Sequence, residues 1–233
     1  MPKTGRIIGE RGPHFKPRPT PLVSCPGVAS ARIEAIGLSK SFAGTPLFSD
    51  LSFSLGAGVL AVTGPNGSGK STLLKIVAGL LRPTAGTVRI ESEGRAITTD
   101  ETRTAVGWSG PDLAFYPELD AVENLSFFRR ASGFPAGDVL SRLDAVGLAQ
   151  APQGVEHFST GMKQRLRVAF AGLLDPAVLI LDEPMSGLDS GGRAAVERIV
   201  ASARTRGPVL LAATDVGELP EADRVLELVR RAT

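Results

Sequence analysis

Three short runs of apolar residues stand out in this chain because no polar residue interrupts them. They are Val59–Val62, Val178–Leu181 and Val209–Ala212. An apolar run without alternation predicts a strand that is covered on both faces, as in a parallel sheet. Residues 51–55 instead alternate apolar and polar positions, which predicts β structure of a different, antiparallel kind within residues 31–62.

Other segments repeat their apolar residues at the helical period. We predict single helices over 71–81, 161–174 and about 192–204, and two or three helical pieces over 118–150, broken at 133–137. In the first helix Leu80 belongs to the predicted apolar face, and residues 82–86 form a turn that ends it. Strands alternating with helices indicate an α/β fold with a mainly parallel sheet.

The composition suits a soluble core and argues against several classes of protein. The chain has 233 residues, 42% of them hydrophobic, and a net charge of +2, which is too small to suggest nucleic acid as a partner. We find neither a signal peptide nor a run of 18 apolar residues, so we expect no membrane crossing. The single cysteine, Cys25, cannot form an intrachain disulfide and is compatible with a reducing compartment.

Residues 1–30 differ from the rest because they are rich in proline and basic residues, with Glu10 as the lone acid. We predict a poorly ordered arm there, followed by one domain over 31–233. A basic arm could lie on anionic lipid. A solvated tail or a mis-assigned start codon would leave the same pattern.

A glycine-rich segment follows the first apolar run directly and precedes the first predicted helix. It consists of Gly64, Pro65, Asn66, Gly67, Ser68, Gly69, Lys70, Ser71 and Thr72. This pattern and context match a phosphate loop, whose inward-turned backbone N–H groups surround phosphate oxygens at the positive end of a helix. We expect Lys70 to add a positive charge near the β- and γ-phosphates, and the Ser71 hydroxyl to bind Mg²⁺.

Two adjacent acids, Asp182 and Glu183, end the second apolar run. Adjacent residues at the end of a strand point in opposite directions. We therefore assign Asp182 to Mg²⁺, through water, and Glu183 to orienting or deprotonating the attacking water. A surface acidic pair at the end of a strand is the alternative, which the phosphate loop disfavours.

The segment Phe158–Arg165 lies upstream of the acids, and Ser186–Asp189 follows them. With the phosphate loop and the acids, in this order, these segments resemble the ATP-binding subunit of an ABC transporter, from residue 32 onward. The resemblance implies a phosphate-loop NTPase core with a helical insert over about 108–170. It also implies ATP and Mg²⁺ as cofactors and ATP hydrolysis that powers transport.

The resemblance further implies roles for residues outside the phosphate loop. Ser159 can cap the helix that follows it, and in the family Ser159 and Gly161 would contact the γ-phosphate held by the opposite copy. A simple capped helix is the alternative. Asp189 would reach across the same interface. Phe42 stands where an aromatic ring stacks on adenine, although it could equally be a core residue.

The chain departs from the family pattern at several positions. Pro111, with Asp112 next, stands where a glutamine is usual, and proline offers no side-chain ligand. Thr214 takes the place of a histidine; a threonine can hydrogen-bond a phosphate but carries no positive charge. The signature segment has Thr160 and Met162 where glycine and glutamine are commoner. The missing histidine predicts slow turnover or a site completed by a different partner.

We therefore expect the ATPase subunit of an exporter, working as a pair of identical or closely paralogous subunits. Separate membrane-spanning permease subunits would hold it peripherally at the cytoplasmic face of the cell membrane, and no nucleic acid is expected. The signature and the compact length resemble heme-exporter ATPases of cytochrome c biogenesis slightly more than small drug- or lipid-export ATPases.

Three other functions stay open at this point. A soluble ABC protein acting on ribosomes or DNA usually carries two cassettes or a long coiled-coil insert, for which residues 72–158 leave no room. A nucleotide-gated module with little hydrolysis would agree with Thr214. A small-molecule kinase would not explain the segments 159–161 and 186–189.

Overall fold

The computed structural model describes residues 31–133 and 138–229, together with the backbone of residues 6–8. The strands within these ranges are β1 (Arg6–Ile8), β2 (Arg32–Phe42), β3 (Thr45–Leu55), β4 (Gly58–Thr63), β5 (Ala85–Ser92), β6 (Arg95–Ala96), β7 (Val106–Ser109), β8 (Val178–Asp182), β9 (Pro208–Ala213) and β10 (Arg224–Glu227). The α-helices are α1 (Lys70–Val77), α2 (Thr99–Ala105), α3 (Ala121–Ala131), α4 (Val139–Ala145), α5 (Thr160–Ala171) and α6 (Ser190–Ala203).

The strands form two sheets, which confirms the predicted combination of parallel and antiparallel β structure. The larger sheet has the order β1-β10-β4-β9-β8-β7 and is parallel except for β1. The smaller sheet has the order β3-β2-β5-β6 and is antiparallel. Since β4, β7, β8 and β9 are parallel, their carboxyl ends meet at one edge, where open α/β sheets bind ligands.

The central strands are buried on both faces, as their unbroken apolar runs predict. In β8, Val178 and Ile180 pack into a core shared with α1 and the antiparallel sheet. Leu179 and Leu181 point the other way and pack with residues of α5 and α6. Because successive side chains of a strand point to opposite faces, one apolar run contributes residues to two cores.

A third hydrophobic core holds the helical insert together. It is built from buried residues between Ala121 and Leu173, including Leu125, Leu143 and Leu166. Asp120 and Asp138 cap the first two helices of the insert by accepting hydrogen bonds from backbone N–H groups. In the described part of 118–150 the predicted pieces are therefore two helices, α3 and α4, and residues 134–137 of the predicted break lie outside the described residues.

Several boundaries differ from the sequence-based expectation. Helix α1 ends at Val77 rather than Leu81, because Gly79 takes a φ of +73° and the N–H of Leu80 turns back to the carbonyl of Lys75. Leu80 is 59% exposed, so its assignment to the apolar face was wrong. Trp108, where the predicted insert begins, belongs to β7 and pairs with Ile180 of β8.

The predicted arm over 1–30 lies outside the described residues, except that the backbone of β1 pairs antiparallel with β10. No helix among the described residues has both the length and the apolar character needed to cross a bilayer.

Candidate nucleotide site

The phosphate loop joins the carboxyl end of β4 to the start of α1. Gly64 has a φ of +139°, and a Cβ there would lie 2.1 Å from the carbonyl oxygen of Leu228. At Gly67 the space is open, so glycine is favoured by its φ of +79° rather than by crowding. Glycine is thus required at these two positions for different reasons: Gly64 packs closely against Leu228, just after β10, and Gly67 allows a left-handed turn of the loop.

Lys70 is buried to 6% exposure at the first turn of α1. Its ammonium donates hydrogen bonds to the carbonyl oxygens of Gly64, at 2.7 Å, and Pro65, at 3.4 Å. The side chain therefore folds back over the loop, with its charge held at the loop's centre. An anion that settled among the loop N–H groups would meet this cation directly.

One cavity brings the phosphate loop and the start of α1 together with the β2–β3 hairpin and the residue that follows β8. Its lining comprises Phe42, Leu47, Asn66, Gly67, Gly69, Lys70, Ser71, Thr72 and Glu183. Phe42 is 51% exposed, which makes the core alternative for this ring wrong. Leu47, on β3, was not predicted, because an isolated leucine in a strand gives no sequence signal for a ligand site.

Asp182 ends β8 with a buried side chain, only 1% exposed. Within the described part of the chain neither of its carboxylate oxygens has a hydrogen-bond partner. Burial raises the pKa of Asp182, and the nearby Ser71 hydroxyl and Lys70 charge oppose that rise only in part. A buried carboxylate without partners is costly unless a cation or donor completes it, so these residues fit a hard cation such as Mg²⁺.

Glu183 has left-handed backbone geometry, with a φ of +52°, which is unusual for a residue that is not glycine. Its N–H donates to the carbonyl of Ala212, and its own carbonyl accepts from the side chain of buried Gln164. Burial raises the pKa of Glu183 as well, aided by the charges of Asp182 and Glu218. Hydrogen bonds at both the N–H and the carbonyl of Glu183 thus hold the strained conformation, which directs the side chain into the cavity.

The signature segment forms a second group of predicted residues. Ser159 caps α5, its hydroxyl accepting from the N–H of Met162 at 3.2 Å, so the predicted cap is confirmed. A Cβ on Gly161 would lie 2.9 Å from the carbonyl oxygen of Gly187, so α5 begins directly against the segment 186–189. Asp189 caps α6 by accepting from the N–H of Gly192 at 2.7 Å. Ser159, Gly161 and Asp189 are not among the described residues that line the cavity.

Two of the positions that depart from the family pattern, Pro111 and Thr214, follow the carboxyl ends of β7 and β9. Thr214, just after β9, places its hydroxyl 3.4 Å from the side-chain oxygen of Asn66 in the phosphate loop. Pro111 contributes its carbonyl as an acceptor for Arg167. Asp112 forms an ion pair with Lys75 of α1 at 2.9 Å. The negative charge of Asp112 also contributes to the raised pKa of Asp182.

This combination of a parallel sheet, a phosphate loop and a buried acid at the neighbouring strand end defines a phosphate-loop NTPase. The family model for ABC transporters matches residues 48–186. The cytochrome c biogenesis ATP-binding export protein of Brucella abortus is 40% identical over 191 residues, which cover 79% of this chain and 86% of that protein. The chain therefore belongs to the ABC transporter family, as an ATP-binding subunit that hydrolyses ATP.

Solved structures agree with this assignment. The ATP-binding subunit of an ABC transporter has a TM-score of 0.74 at 26% identity, covering 86% of this chain and 88% of that one. The dimeric bacterial ABC transporter cassette MJ0796 has a TM-score of 0.72 at 20% identity, covering 84% and 94%. The second likeness shows the fold alone.

Proposed function

We propose that this chain drives export by binding and hydrolysing ATP between two copies, or two close paralogues, beneath separate membrane-spanning subunits. The cavity that joins the phosphate loop, Phe42 and Glu183 is the observation that carries this proposal. It places a cationic loop, an exposed ring and a carboxylate of raised pKa around one space, which is the arrangement needed to hold a nucleoside triphosphate and activate a water.

The residues of this cavity divide the work. The loop N–H groups and Lys70 hold the phosphates, and Phe42 stacks on the adenine ring. Asp182 and Ser71 would hold Mg²⁺, which offsets the negative charge of the phosphates when bound. Glu183 accepts a proton from the attacking water or orients it, and its raised pKa brings that carboxylate closer to the working pH of a general base.

The second copy is needed because the signature residues do not reach the cavity of their own chain. Ser159 is exposed at the start of α5, where Gly161 lies against the segment that carries Asp189. The positive end of α5 and the Ser159 hydroxyl suit a phosphate oxygen supplied from outside the chain. We assign that phosphate to the nucleotide of the opposite copy, with Thr214 hydrogen-bonding the nucleotide held by its own chain.

The helical insert carries an aromatic surface suited to the membrane-spanning partner. Five rings contact one another edge to face or tilted: Phe115, Tyr116, Phe127, Phe128 and Phe170. Two of these, Tyr116 and Phe127, stay 45% and 44% exposed. Exposed aromatic rings on a packed base are typical of binding surfaces. Docking there would place the chain peripherally at the cytoplasmic face of the membrane.

Ligand binding can be tested by thermal unfolding of the purified chain with ATP and Mg²⁺. We expect ATP to raise the unfolding temperature of the wild type, more with Mg²⁺ than with a chelator, since binding to the folded state stabilises it. Lys70→Ala removes the cation at the centre of the loop, so it should abolish most of the shift. An unchanged shift in Lys70→Ala would refute the proposed phosphate site.

For the cargo, we favour heme in cytochrome c biogenesis over a drug or a lipid, because of the 40% identity to the Brucella export protein. The test is complementation of a strain that lacks its own cytochrome c biogenesis ATP-binding export protein. We expect the wild-type chain, but not Lys70→Ala, to restore heme-loaded cytochrome c. Failure of a well-expressed wild-type chain would favour the drug- or lipid-export alternative.

A further inference from the structure

Lys40 and Phe42 lie near the tip of the β2–β3 hairpin, beside the nucleotide cavity. The turn between the strands consists of Ala43 and Gly44, both with positive φ (47° and 82°), as in the tight turns that suit twisted hairpins. Residues two apart on a strand share a face. The Lys40 ammonium and the Phe42 ring are therefore neighbours by the geometry of β2 itself.

The ammonium of Lys40 makes two contacts at once. It lies 4.9 Å from the centroid of the Phe42 ring, within the range of a cation–π interaction. It also donates a hydrogen bond of 2.9 Å to the carbonyl oxygen of Arg82, in the turn that follows α1. The ring is thus connected, through one cation, to the segment that follows the phosphate-loop helix.

Phe42 needs such support because the core does not hold it. The ring is 51% exposed at the end of its strand, so packing leaves it free to change rotamer. A cation over one face restricts that freedom and leaves the other face available. Phe42 lines the same cavity as Lys70 and Thr72, where a triphosphate would place its base within reach.

We propose that Lys40 is a positioning residue for base recognition: it holds Phe42 in the orientation that stacks on the nucleobase. The inference rests on the proposed stacking role of Phe42. Pre-ordering the ring lowers the entropy lost when the base binds. Lys40 should therefore affect ligands that carry a base and leave the binding of a bare phosphate chain unchanged.

The test compares dissociation constants for ATP and for inorganic tripolyphosphate, a probe with no base, on the full chain. Lys40→Met keeps most of the alkyl chain and removes the charge. We expect it to weaken ATP binding about two- to five-fold, the size of an exposed cation–π contact, with tripolyphosphate binding unchanged. Lys40→Arg keeps the cation and should restore ATP affinity. Equal weakening of both ligands, or no effect on either, would overturn the proposal.

Thr84→Val is the matched control. The Thr84 hydroxyl accepts a hydrogen bond from the N–H of Ser41, at 3.0 Å, so it too links the hairpin to the turn after α1, without touching the ring. We expect Thr84→Val to leave ATP affinity unchanged. A loss equal to that of Lys40→Met would show that Lys40 only anchors the hairpin.

Phe42→Ala separates the proposed role of Lys40 from the proposed stacking role of Phe42, on which it depends. Loss of stacking should weaken ATP binding about five-fold or more, and Lys40→Met should add nothing in that background. If Phe42→Ala has no effect, the stacking role fails and the role of Lys40 fails with it. If Phe42→Ala weakens ATP but Lys40→Met does not, the role of Lys40 alone fails.

Discussion

The two ends of the proposed site differ in how they are built. At one end, the phosphate loop and the acids rest on buried strands, Lys70 is enclosed, and Glu183 is held in a strained conformation. At the other, Ser159 and Asp189 are exposed caps of α5 and α6, and Gly161 of α5 lies against Gly187 in the segment before α6. Under the proposed function, the first end binds a triphosphate by itself, whereas the second acts only on a nucleotide that another molecule brings.

The largest effect should come from the enclosed end. Glu183→Gln removes the proton acceptor but keeps the side-chain shape, so we expect ATP hydrolysis to fall about 1,000-fold while ATP binding persists. Steady-state phosphate release and equilibrium binding on one preparation would show this. Glu197→Gln is the control, since Glu197 is exposed on α6 and does not line the cavity. Equal rates in wild type and Glu183→Gln would show that Glu183 is not the catalytic base.

At the exposed end, Ser159→Ala should lower hydrolysis about 100-fold, the scale of one lost donor to a charged transition state. ATP binding to the single chain should not change, because Ser159 does not line the cavity. Asp138→Ala controls for the loss of a helix cap, since Asp138 caps α4 in the same way. Similar losses in both variants would mean that Ser159 acts only as a cap.

The two ends should also differ in stability. Asp182→Asn removes a buried charge without partners, so we expect it to stabilise the ligand-free chain by about 1–2 kcal/mol near neutral pH. The gain should shrink as pH falls through the raised pKa of Asp182, and it should be gone below the ordinary pKa of an aspartate, where the carboxyl is neutral in both the folded and the unfolded chain. Asp189→Asn should be neutral, because asparagine caps a helix as well as aspartate does. Denaturant unfolding at two pH values checks both, and a loss of stability in Asp182→Asn would contradict this account.

The smallest effect concerns pH. A general base loses its activity when it is protonated, so hydrolysis should fall as the solution is acidified. Because the pKa of Glu183 is raised, this fall should begin at a higher pH than for an ordinary glutamate. Glu218 contributes to that rise, so Glu218→Gln should move the acid limb of the pH–rate profile to lower pH by a fraction of a unit. A shift in the opposite direction would argue against this electrostatic coupling.

The same contrast explains what the sequence could and could not predict. The buried runs of β4, β8 and β9 carry their own signal, because a strand covered on both faces needs unbroken apolar residues. Strand β7 has four residues, one of them Gly107, where a Cβ would lie 1.9 Å from the carbonyl oxygen of Ala171. The packing of Ala171 of α5 and of Pro176 against β7 explains that glycine, so no local pattern predicts this strand.

Within the site, the phosphate loop and the acids were predictable because each chemical role restricts the residue type. The contributions of Leu47 and Lys40 were not, since they depend on the hairpin lying against the phosphate loop and the turn after α1. The strained backbone of Glu183 could not be predicted either, because it is imposed by hydrogen bonds with Ala212 and Gln164, which are distant in sequence. Long-range packing decides these features.

The most direct test of the shared site mixes two inactive chains. Lys70→Ala removes the cation of the phosphate loop and leaves the signature segment intact. Ser159→Arg blocks the signature segment and leaves the phosphate loop intact. In a mixed pair one composite site is intact, so random pairing of equal amounts should restore ATP hydrolysis to about a quarter of the wild-type rate. If the mixture hydrolyses ATP no faster than the two variants measured separately, the site is not shared between copies.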